Sequence, residues 1–326
     1  PVTEIADWSF AAGITAFMKS VTIPKTVKKI GGSAFMGQSV NFASRLEEII
    51  FEDGSQLETI GDRAFAFNSS LKELRLPASV KEIDYGIVYC CRQLERFHSS
   101  STNLDIAGPY ICAIDGQKTY LIATICKSNR DGGYYSMGGY FDTTVKTGCF
   151  SFCDLTYIRW SYITAIESSC FEWCDNLEEV DLEKTVTIGS NVLHDCKNLR
   201  SIYLPLASSI GSGCLCRNES LETIEFACED LKEINTMGND CASLREIKIP
   251  SGVLSISSSF NSDPSIEAVY VSALTPPALS DSFDSMPQDA VIYVPCTSHA
   301  AYKSASGWSA YAGMMVPYDF EKGEIC

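Results

Sequence analysis

Apolar residues recur along this chain in a six-residue pattern with nearly constant spacing. Each copy has an apolar residue, two variable positions, an apolar residue, one variable position and a final apolar residue. The clearest copies begin at Leu155, Leu177, Leu199, Leu221, Leu244 and Ile266. They read LTYIRW, LEEVDL, LRSIYL, LETIEF, LREIKI and IEAVYV, at steps of 22, 22, 22, 23 and 22 residues. Alternation in the second half of each copy predicts a short β-strand with one buried face.

A constant period of this length predicts a solenoid, in which each repeat forms one coil and packs only on its neighbours. The core L-x-x-φ-x-φ, where φ is apolar, is typical of leucine-rich repeats. Further copies begin at Leu46 and Leu71, and after Leu94 the period stops until Leu155. We therefore predict a single right-handed, curved leucine-rich-repeat solenoid. Each coil of 22–23 residues has one β-strand and an irregular back, with caps at both ends and one β-hairpin interruption.

The pattern divides the chain into five predicted segments. Residues 1–20 form an N-terminal cap, because their apolar residues follow no clear repeat phase and a solenoid must cover its terminal faces. Repeat coils occupy 21–99 and 149–290, on either side of an interruption at 100–148. Residues 291–326 form a C-terminal strand and a short helical cap.

Two local patterns refine this division. In the interruption, two apolar runs within Ile111–Thr124 flank Asp115 and Gly116, which predicts a β-hairpin with a tight turn. In the C-terminal segment, Thr297 or Ser298 can N-cap a short helix that ends near Gly307. We expect Trp308 and Tyr311 to pack this helix over the last coil.

The hairpin is followed by a loop rich in glycine and aromatic residues. Its candidates for ligand contact are Tyr134, Tyr135 and Tyr140. Exposed aromatic clusters are usually either covered or functional. The loop therefore either folds back on the flank of the solenoid or presents these side chains to a ligand.

Fifteen cysteines would ordinarily indicate a disulfide scaffold or metal sites, but most of them follow the repeat. Four lie three residues before a leading leucine: Cys91, Cys174, Cys196 and Cys241. Other coils place Asn68, Asn218 or Asp263 there, which indicates a ladder of side chains that satisfy backbone groups at a bend. A second column, seven residues before the leucine, contains Cys170 and Cys214. We expect reduced, structural thiols at these positions, with small buried side chains in the second column.

Charge and length exclude some partners. The chain has 25 Lys and Arg against 41 Asp and Glu, a formal net charge of −16 at pH 7. Nucleic acids and anionic membranes are bound through basic patches, so neither is an expected partner.

Apolar runs such as Tyr120–Ile125 are too short to cross a bilayer. The chain opens on Pro1 without an initiator Met, as in a trimmed or mature form, so the missing signal peptide does not indicate the cytoplasm.

The repeat unit resembles the BspA-like, or Treponema-type, leucine-rich repeat. The match is carried by LKELRLPASVKEI at Leu71 and by IGDRAFAFNSSL at Ile60. The Asp-Gly hairpin resembles the family's interrupting segment, and TPPAL followed by VIYVPCTSHAAYKSASGWSAY resembles its C-terminal closure. The resemblance spans about Val21 to Tyr311. The chain departs from the common pattern by its many cysteines and by two replacements of the Ala-Phe pair that preserve burial: Val192–Leu193 and Met237–Gly238.

This resemblance implies a secreted or surface-anchored bacterial protein, as some members are associated with adhesion to host matrix proteins or to other microbes. We therefore expect an extracellular or cell-surface location, with the signal or anchor segment outside these residues. The free thiols are unusual in that setting, since they are uncommon outside the cell.

No motif in the sequence predicts catalysis, so we expect no enzymatic activity, cofactor or metal. A His-Asp-Cys tripeptide ends at Cys196, but adjacent side chains are expected to point apart and the cysteine belongs to the ladder. The pairs Cys149 with Cys153 and Cys170 with Cys174 straddle one bend without a histidine, which disfavours zinc. A carbohydrate-active or other hydrolase with a site on the solenoid face is the least favoured alternative.

A binding surface on the strands is the favoured function. Alternation directs the third and fifth positions of each hexad outward. The fifth-position column contains Ile50, Arg75, His98, Arg159, Asp181, Tyr203, Glu225, Lys248 and Tyr270. The third-position column is more acidic and contains Glu48, Glu73, Tyr157, Glu179, Ser201, Thr223 and Glu246. Strands about 4.8 Å apart in roughly ten coils would present a ribbon roughly 45–50 Å long.

Arginine and tyrosine are enriched at protein-binding hot spots, which selects candidates within these columns. The predicted ligand-binding residues are Arg75, Tyr157, Arg159, Tyr203, Lys248 and Tyr270, together with the three loop tyrosines. The expected partner is a protein, from the host matrix or another microbial surface, and the chain is expected to be a monomer. A merely solvated sheet face and a self-associating structural scaffold remain the alternatives.

Overall fold

The computed structural model describes residues 1–11, 13–38, 44–107, 110–115, 118–124, 144–153, 155–159 and 163–326. These residues form coils built from short β-strands, and they fall into two compact units. The first unit runs up to Leu155 and the second begins at Thr156. The prediction of a leucine-rich-repeat solenoid with one outer strand per coil is confirmed.

The first unit contains two kinds of parallel strand. In chain order its strands are β1 (Glu4–Ile5), β2 (Ser20–Ile23), β3 (Lys29–Ile30), β4 (Glu48–Phe51), β5 (Thr59–Ile60), β6 (Glu73–Leu76), β7 (Glu82–Ile83), β8 (Arg96–Ser99), β9 (Leu104–Ala107), β10 (Tyr110–Asp115), β11 (Lys118–Thr124) and β12 (Thr144–Val145). The longer strands β2, β4, β6 and β8 carry the hexads, and their outer surface is called the front face below. The two-residue strands β1, β3, β5 and β7 form a second sheet.

The N-terminal segment takes part in this coil packing. Strand β1 pairs in parallel with β3, and the Gly31 amide donates to the Ile5 carbonyl. Phe10 stacks on Phe35 with ring centroids 5.1 Å apart, and Phe35 stacks on Phe65 at 5.9 Å. The segment predicted as a cap therefore continues the aromatic column of the coil interior.

The predicted hairpin is confirmed. Strands β10 and β11 pair antiparallel, with Asp115 opposite Lys118 at the end of the pairing. The predicted tight turn lies outside the described residues. Strand β9 also pairs antiparallel with β10, a third strand that the sequence pattern did not predict. The loop that carries Tyr134, Tyr135 and Tyr140 lies outside the described residues.

The second unit repeats the same arrangement. In chain order its elements are β13 (Tyr157–Arg159), β14 (Ala165–Ile166), β15 (Glu179–Asp181), β16 (Thr187–Ile188), β17 (Ser201–Leu204), β18 (Ser209–Ile210), β19 (Thr223–Phe226), β20 (Glu233–Asn235), β21 (Glu246–Ile249), β22 (Ser255–Ser257), β23 (Ala268–Val271), β24 (Ala278–Ser280), β25 (Val291–Pro295), α1 (His299–Ser304), β26 (Met315–Asp319) and β27 (Glu324–Ile325). Strands β17, β19, β21, β23, β25, β26 and β27 form one sheet in that order, and only β27 runs antiparallel to its neighbour.

The hexad positions explain this packing. The leading leucines Leu199, Leu221 and Leu244 are fully buried, as are the inward residues Ile224 and Ile247. Because the coils pair in parallel with the same hexad positions opposite each other, equivalent side chains stack in columns along the solenoid. Burying an aliphatic side chain of this size contributes about 1.5–3 kcal/mol.

The bends at the back of the coils use left-handed backbone. Positive φ angles recur four residues apart, as at Asn191 and Asp195, or at Gly213 and Arg217. Glycine is required at Gly238, where φ is 63° and a Cβ atom would lie 2.9 Å from the Phe260 ring. The Phe260 ring of the next coil thus occupies the space beside this glycine, which accounts for the missing aromatic residue in the Met237–Gly238 pair.

The C-terminal residues close the second unit largely as predicted. Trp308 is buried and its indole N–H donates to the Pro277 carbonyl at 2.7 Å. The Tyr311 hydroxyl donates to the Ser282 carbonyl at 3.0 Å. Ser298 stands at the N-cap of α1, but its side chain makes no capping hydrogen bond, so that detail of the prediction is wrong.

A disulfide joins Cys296 to Cys326, with Cα atoms 6.2 Å apart. The repeat pattern did not predict it, because both cysteines lie outside the ladder columns.

Candidate binding surface

On the front face of the second unit, one column of outward side chains crosses five strands. Parallel pairing places Tyr203, Glu225, Lys248, Tyr270 and Tyr293 opposite one another in turn. The Tyr203 side chain is 47% exposed, and the other four are half-buried. Since the intervening residues of each strand are buried, the predicted division into inward and outward positions is confirmed along this sheet.

A lysine lies at the centre of this column between two carboxylates. The Lys248 Nζ is 3.0 Å from Glu225 Oε2 on β19 and 3.4 Å from Glu246 Oε1 on its own strand. The hydrogen bond to Glu225 and the two negative charges raise the pKa of Lys248, although burial opposes the rise. The lysine is therefore firmly cationic and its charge is already balanced within the sheet.

Four aromatic rings follow Lys248 along the face. Tyr270 stacks on Tyr293 with centroids 4.5 Å apart and planes 13° apart. Tyr318 on β26 contacts both edge-on, at 5.6 Å and 5.1 Å, and Phe320 contacts Tyr318 at 5.1 Å. Offset and edge-on pairs of this kind contribute about 0.5–1.5 kcal/mol each beyond burial. We call Tyr270, Tyr293, Tyr318 and Phe320 the aromatic cluster.

A groove of about 510 Å³ lies between the charged residues and the aromatic cluster. Its lining residues are Glu225, Phe226, Ala227, Glu229, Glu246, Lys248, Ile249, Pro250, Tyr270, Ser272, Tyr318 and Phe320. Burial and then the Glu246 charge raise the pKa of the Tyr270 phenol, while Lys248 opposes the rise. That hydroxyl therefore stays protonated at neutral pH and can donate a hydrogen bond.

The front face of the first unit has a different chemistry. Arg75, Arg96 and His98 all contact the Glu73 carboxylate, with Arg96 Nη2 at 3.0 Å and His98 Nε2 at 3.3 Å. Partial burial raises the pKa of Glu73, but the Arg96 hydrogen bond and the three neighbouring side chains together hold it below its usual value. A shallow groove of about 300 Å³ adjoins this cluster and is lined by Arg75, Arg96, Glu73 and neighbouring residues, without an aromatic ring.

Most of the repeats up to residue 267 match a known family. The sequence model of the "BspA type Leucine rich repeat region" matches the chain in six copies, over residues 1–111 and 143–267. The chain belongs to the BspA-type leucine-rich-repeat family. No curated protein sequence matches it.

Solved structures of other proteins are similar to this chain at low sequence identity. A leucine-rich repeat protein from Eubacterium ventriosum is 20% identical with a TM-score of 0.64, over 87% of this chain and 80% of that one. A leucine rich cell surface protein from Faecalibacterium prausnitzii is 18% identical with a TM-score of 0.44, over 82% and 83%. The pneumococcal vaccine antigen PcpA is 18% identical with a TM-score of 0.42, over 97% and 69%. At 20% identity, the likeness to the Eubacterium ventriosum protein shows the fold alone.

The coils bring some of the predicted ligand-binding residues together and leave others apart. Lys248 and Tyr270 line the same groove, and Tyr203 lies two strands before Lys248 on the same face. Arg75 lies on the front face of the first unit and is ion-paired with Glu73. Tyr157 is half-buried on β13. The Arg159 side chain and the three loop tyrosines fall outside the description.

The sequence pattern missed Tyr293, Tyr318 and Phe320. Tyr293 occupies the fifth position of a hexad whose leading residue is Asp289 instead of leucine, so this copy does not fit the L-x-x-φ-x-φ pattern. The alternation in VIYVP was the available signal. Tyr318 and Phe320 follow no repeat, and only the parallel pairing of β26 with β25 brings them to the groove.

The cysteine ladder of this BspA-type chain is a set of hydrogen bonds between coils. Cys91, Cys196 and Cys241 donate their thiol hydrogens to carbonyls 25 or 26 residues earlier, with Sγ–O distances of 3.1–3.2 Å. Asn218 fills the same position, donating from Nδ2 to Leu193 and Leu215 carbonyls and accepting from the Cys196 amide. The predicted role of this column is confirmed at these positions.

One expectation about the His-Asp-Cys tripeptide is wrong. His194 Nδ1 lies 3.1 Å from Asp195 Oδ2, so these adjacent side chains meet instead of pointing apart. Asp195 has left-handed backbone with φ of 59°, which redirects its side chain. Burial raises the Asp195 pKa, while the Arg217 and His194 charges oppose the rise. Cys196 still cannot join them, because its thiol donates to the Phe171 carbonyl and burial raises its pKa far above normal.

Eleven cysteines within the described residues are buried. Within the same residues, no three His, Cys, Asp or Glu side chains are placed to hold a metal ion. Burial raises the pKa of Cys214 to about 12, and Cys241 and Cys216 are raised for the same reason. Because the thiolate is the reactive species, two factors protect these thiols from modification: reagents cannot reach them, and the thiols stay protonated.

We therefore expect native protein treated with iodoacetamide at pH 8 to remain unmodified at Cys196, Cys214 and Cys241, as read by peptide mass mapping. The same protein in 6 M guanidinium serves as the control and is expected to label fully at all three. Labelling of these thiols in the native state at the denatured rate would contradict the ladder.

Proposed function

We propose that this protein acts without enzymatic activity at the bacterial cell surface and binds a protein partner through the front face of its second unit. The observation that carries this proposal is the aromatic cluster beside a groove, on a sheet face whose remaining outward side chains are mostly polar. Tyrosine on a rigid sheet is a common protein-binding anchor, because it supplies contact area and a hydrogen-bonding hydroxyl at low entropic cost. Membership of the BspA-type family supports a repeat-based surface protein.

The location at the cell surface has its own support. The disulfide between Cys296 and Cys326 is of a kind that persists in oxidising compartments and is rare in the cytosol.

None of the helices described is long and apolar enough to cross a membrane. The net charge of −16 gives no basis for binding an anionic lipid surface or a nucleic acid.

The test is site-specific photo-crosslinking, with a benzoylphenylalanine introduced at Tyr203 on the front face. The matched control carries the same group at Glu219, an exposed residue in the turn before the hexad that begins at Leu221. Incubated with host matrix proteins and bacterial surface extracts, the Tyr203 variant is expected to form a discrete heterologous adduct that the Glu219 variant lacks. Adducts of the chain with itself would favour the self-associating scaffold instead. Equal adducts from both positions would contradict a front-face site.

A further inference from the structure

The groove beside the aromatic cluster has an unbalanced charge. Three glutamates line it, Glu225, Glu229 and Glu246, against one cation, Lys248. Lys248 is engaged by Glu225 and Glu246 at 3.0 Å and 3.4 Å. Glu229 accepts a hydrogen bond from the Ser251 hydroxyl, and no described cation lies within ion-pair distance of its carboxylate. Lys232 nearby donates to the Glu229 main-chain carbonyl instead.

The uncharged part of the groove suits a cation as well. Tyr270, Tyr318 and Phe320 form its aromatic wall, and ring faces attract ammonium and guanidinium groups within about 6 Å of the centroid. Such contacts contribute about 0.5–2 kcal/mol, the more so when water is excluded. An aromatic wall opposite carboxylates is therefore complementary to a cation with an apolar stem.

We propose that this groove binds a lysine- or arginine-containing segment of a protein partner, with the cationic side chain placed between Glu229 and the Tyr318–Phe320 wall. This inference rests on the proposed function and names the chemistry of its partner. A groove of about 510 Å³ accommodates one or two extended side chains with their backbone. The overall charge of −16 adds long-range attraction for a basic segment.

Other ligand chemistries fit the same groove less well. An acidic segment would meet three carboxylates with a single lysine that is already paired. A neutral sugar could stack on tyrosine, but it would desolvate the carboxylates without supplying a counter-charge, which is unfavourable. Only a cationic ligand interacts favourably with both the glutamate carboxylates and the aromatic wall.

Lys248 competes with a cationic ligand for the carboxylates of Glu225 and Glu246. Removing its charge frees Glu225 and Glu246 for an incoming cation. Lys248→Met is therefore expected to strengthen binding of a basic peptide, whereas a lysine that contacts the ligand directly predicts the opposite sign.

The probe is a fluorescein-labelled, amidated peptide with three arginines separated by glycines, and the readout is fluorescence anisotropy at 50 and 150 mM salt. Relative to the wild type, Lys248→Met is expected to lower Kd about fivefold. Glu229→Gln is expected to raise Kd about fivefold, and Tyr318→Leu about threefold. The matched control Glu219→Gln makes the same charge change at an exposed turn residue that does not line the groove, and it is expected to change Kd less than about twofold.

Two outcomes would overturn the inference: weaker peptide binding by Lys248→Met, or equal effects of Glu229→Gln and Glu219→Gln. Thermal unfolding of each variant checks that the coils are intact, and Glu229→Gln keeps the test decisive if Lys248→Met fails to fold. A specific Tyr203 adduct with no groove-dependent peptide binding would leave the proposed function standing and refute the basic ligand. Groove-dependent peptide binding without any front-face adduct would support the basic ligand and count against a partner among the host matrix and bacterial surface proteins tested.

Discussion

Replacing Ile202 by aspartate is expected to unfold the coils around β17 and to lower the free energy of unfolding by about 3–5 kcal/mol. Ile202 is 2% exposed and packs at the inward fourth position of its hexad, opposite Ile224 of the next coil. An aspartate there would bury a carboxylate with no cation beside it. In a solenoid the damage is local first, because each coil is stabilised by its own core and by its two neighbours.

The matched control is Ser201→Asp, one residue earlier on the same strand. Ser201 is exposed, so the same charge stays in water and the expected change is under about 1 kcal/mol. Hydrogen exchange measures both variants, and Ile202→Asp is expected to lose amide protection across β15, β17 and β19. Native-like protection in that variant would show that the assignment of inward and outward positions is wrong.

The second large effect is a stabilisation, expected for Asp263→Asn. Asp263 is fully buried in the ladder column, where its Oδ1 accepts from the Cys241 amide at 2.6 Å. Its Oδ2 has no hydrogen-bond partner among the described residues. In Asn218, which occupies the same column, the corresponding Nδ2 donates to two carbonyls. An asparagine at 263 can donate in the same way at any pH, whereas the ionised carboxylate cannot.

The pH dependence of this effect has a definite sign. Burial raises the pKa of Asp263 to about 8, the Cys241 hydrogen bond opposes the rise, and the charges of Asp240 and Asp284 add to it. A folded-state pKa above the unfolded value of about 3.9 means that the contribution of Asp263 to stability is greatest below pH 4. This contribution is lost as the pH rises towards 8. Asp263→Asn is therefore expected to gain roughly 2–4 kcal/mol over wild type at pH 7, and much less at pH 4.

Urea unfolding at pH 4, 6 and 8 measures this difference. Asn218→Asp is the reciprocal variant and is expected to lose stability as the pH rises, because it places a carboxylate oxygen against the carbonyls of Leu193 and Leu215. If Asp263→Asn is no more stable than wild type at pH 8, the buried carboxyl must have a donor partner and the interpretation of the column fails.

Much of the fold follows from short-range patterns. The hexads determine which residues are buried, since a strand can bury only alternate side chains, and the constant period places equivalent positions opposite each other in successive coils. For the same reason the ladder role of Cys91, Cys196 and Cys241 was visible in the sequence. The hairpin followed from two apolar runs around an Asp-Gly pair.

The candidate site was only partly predictable. Lys248 and Tyr270 were found because they occupy the outward column, but their chemistry depends on neighbours contributed by other strands. The outward position of Lys248 predicts a ligand contact, whereas the structure pairs this lysine with Glu225 and Glu246. The contact between His194 and Asp195 was also missed, because left-handed backbone at a bend is not encoded by alternation.

The sequence alone therefore determined the repeat, the buried and outward columns and the bend ladder, because each depends on a spacing that one coil imposes on the next. Tertiary structure alone decided that Tyr318 and Phe320 meet Tyr270 at one groove. It also paired Cys296 with Cys326 and left one oxygen of Asp263 without a hydrogen-bond partner among the described residues. These contacts join residues that share no repeat phase, or depend on atoms whose direction is set by the surrounding coils, so no periodicity in the chain could indicate them.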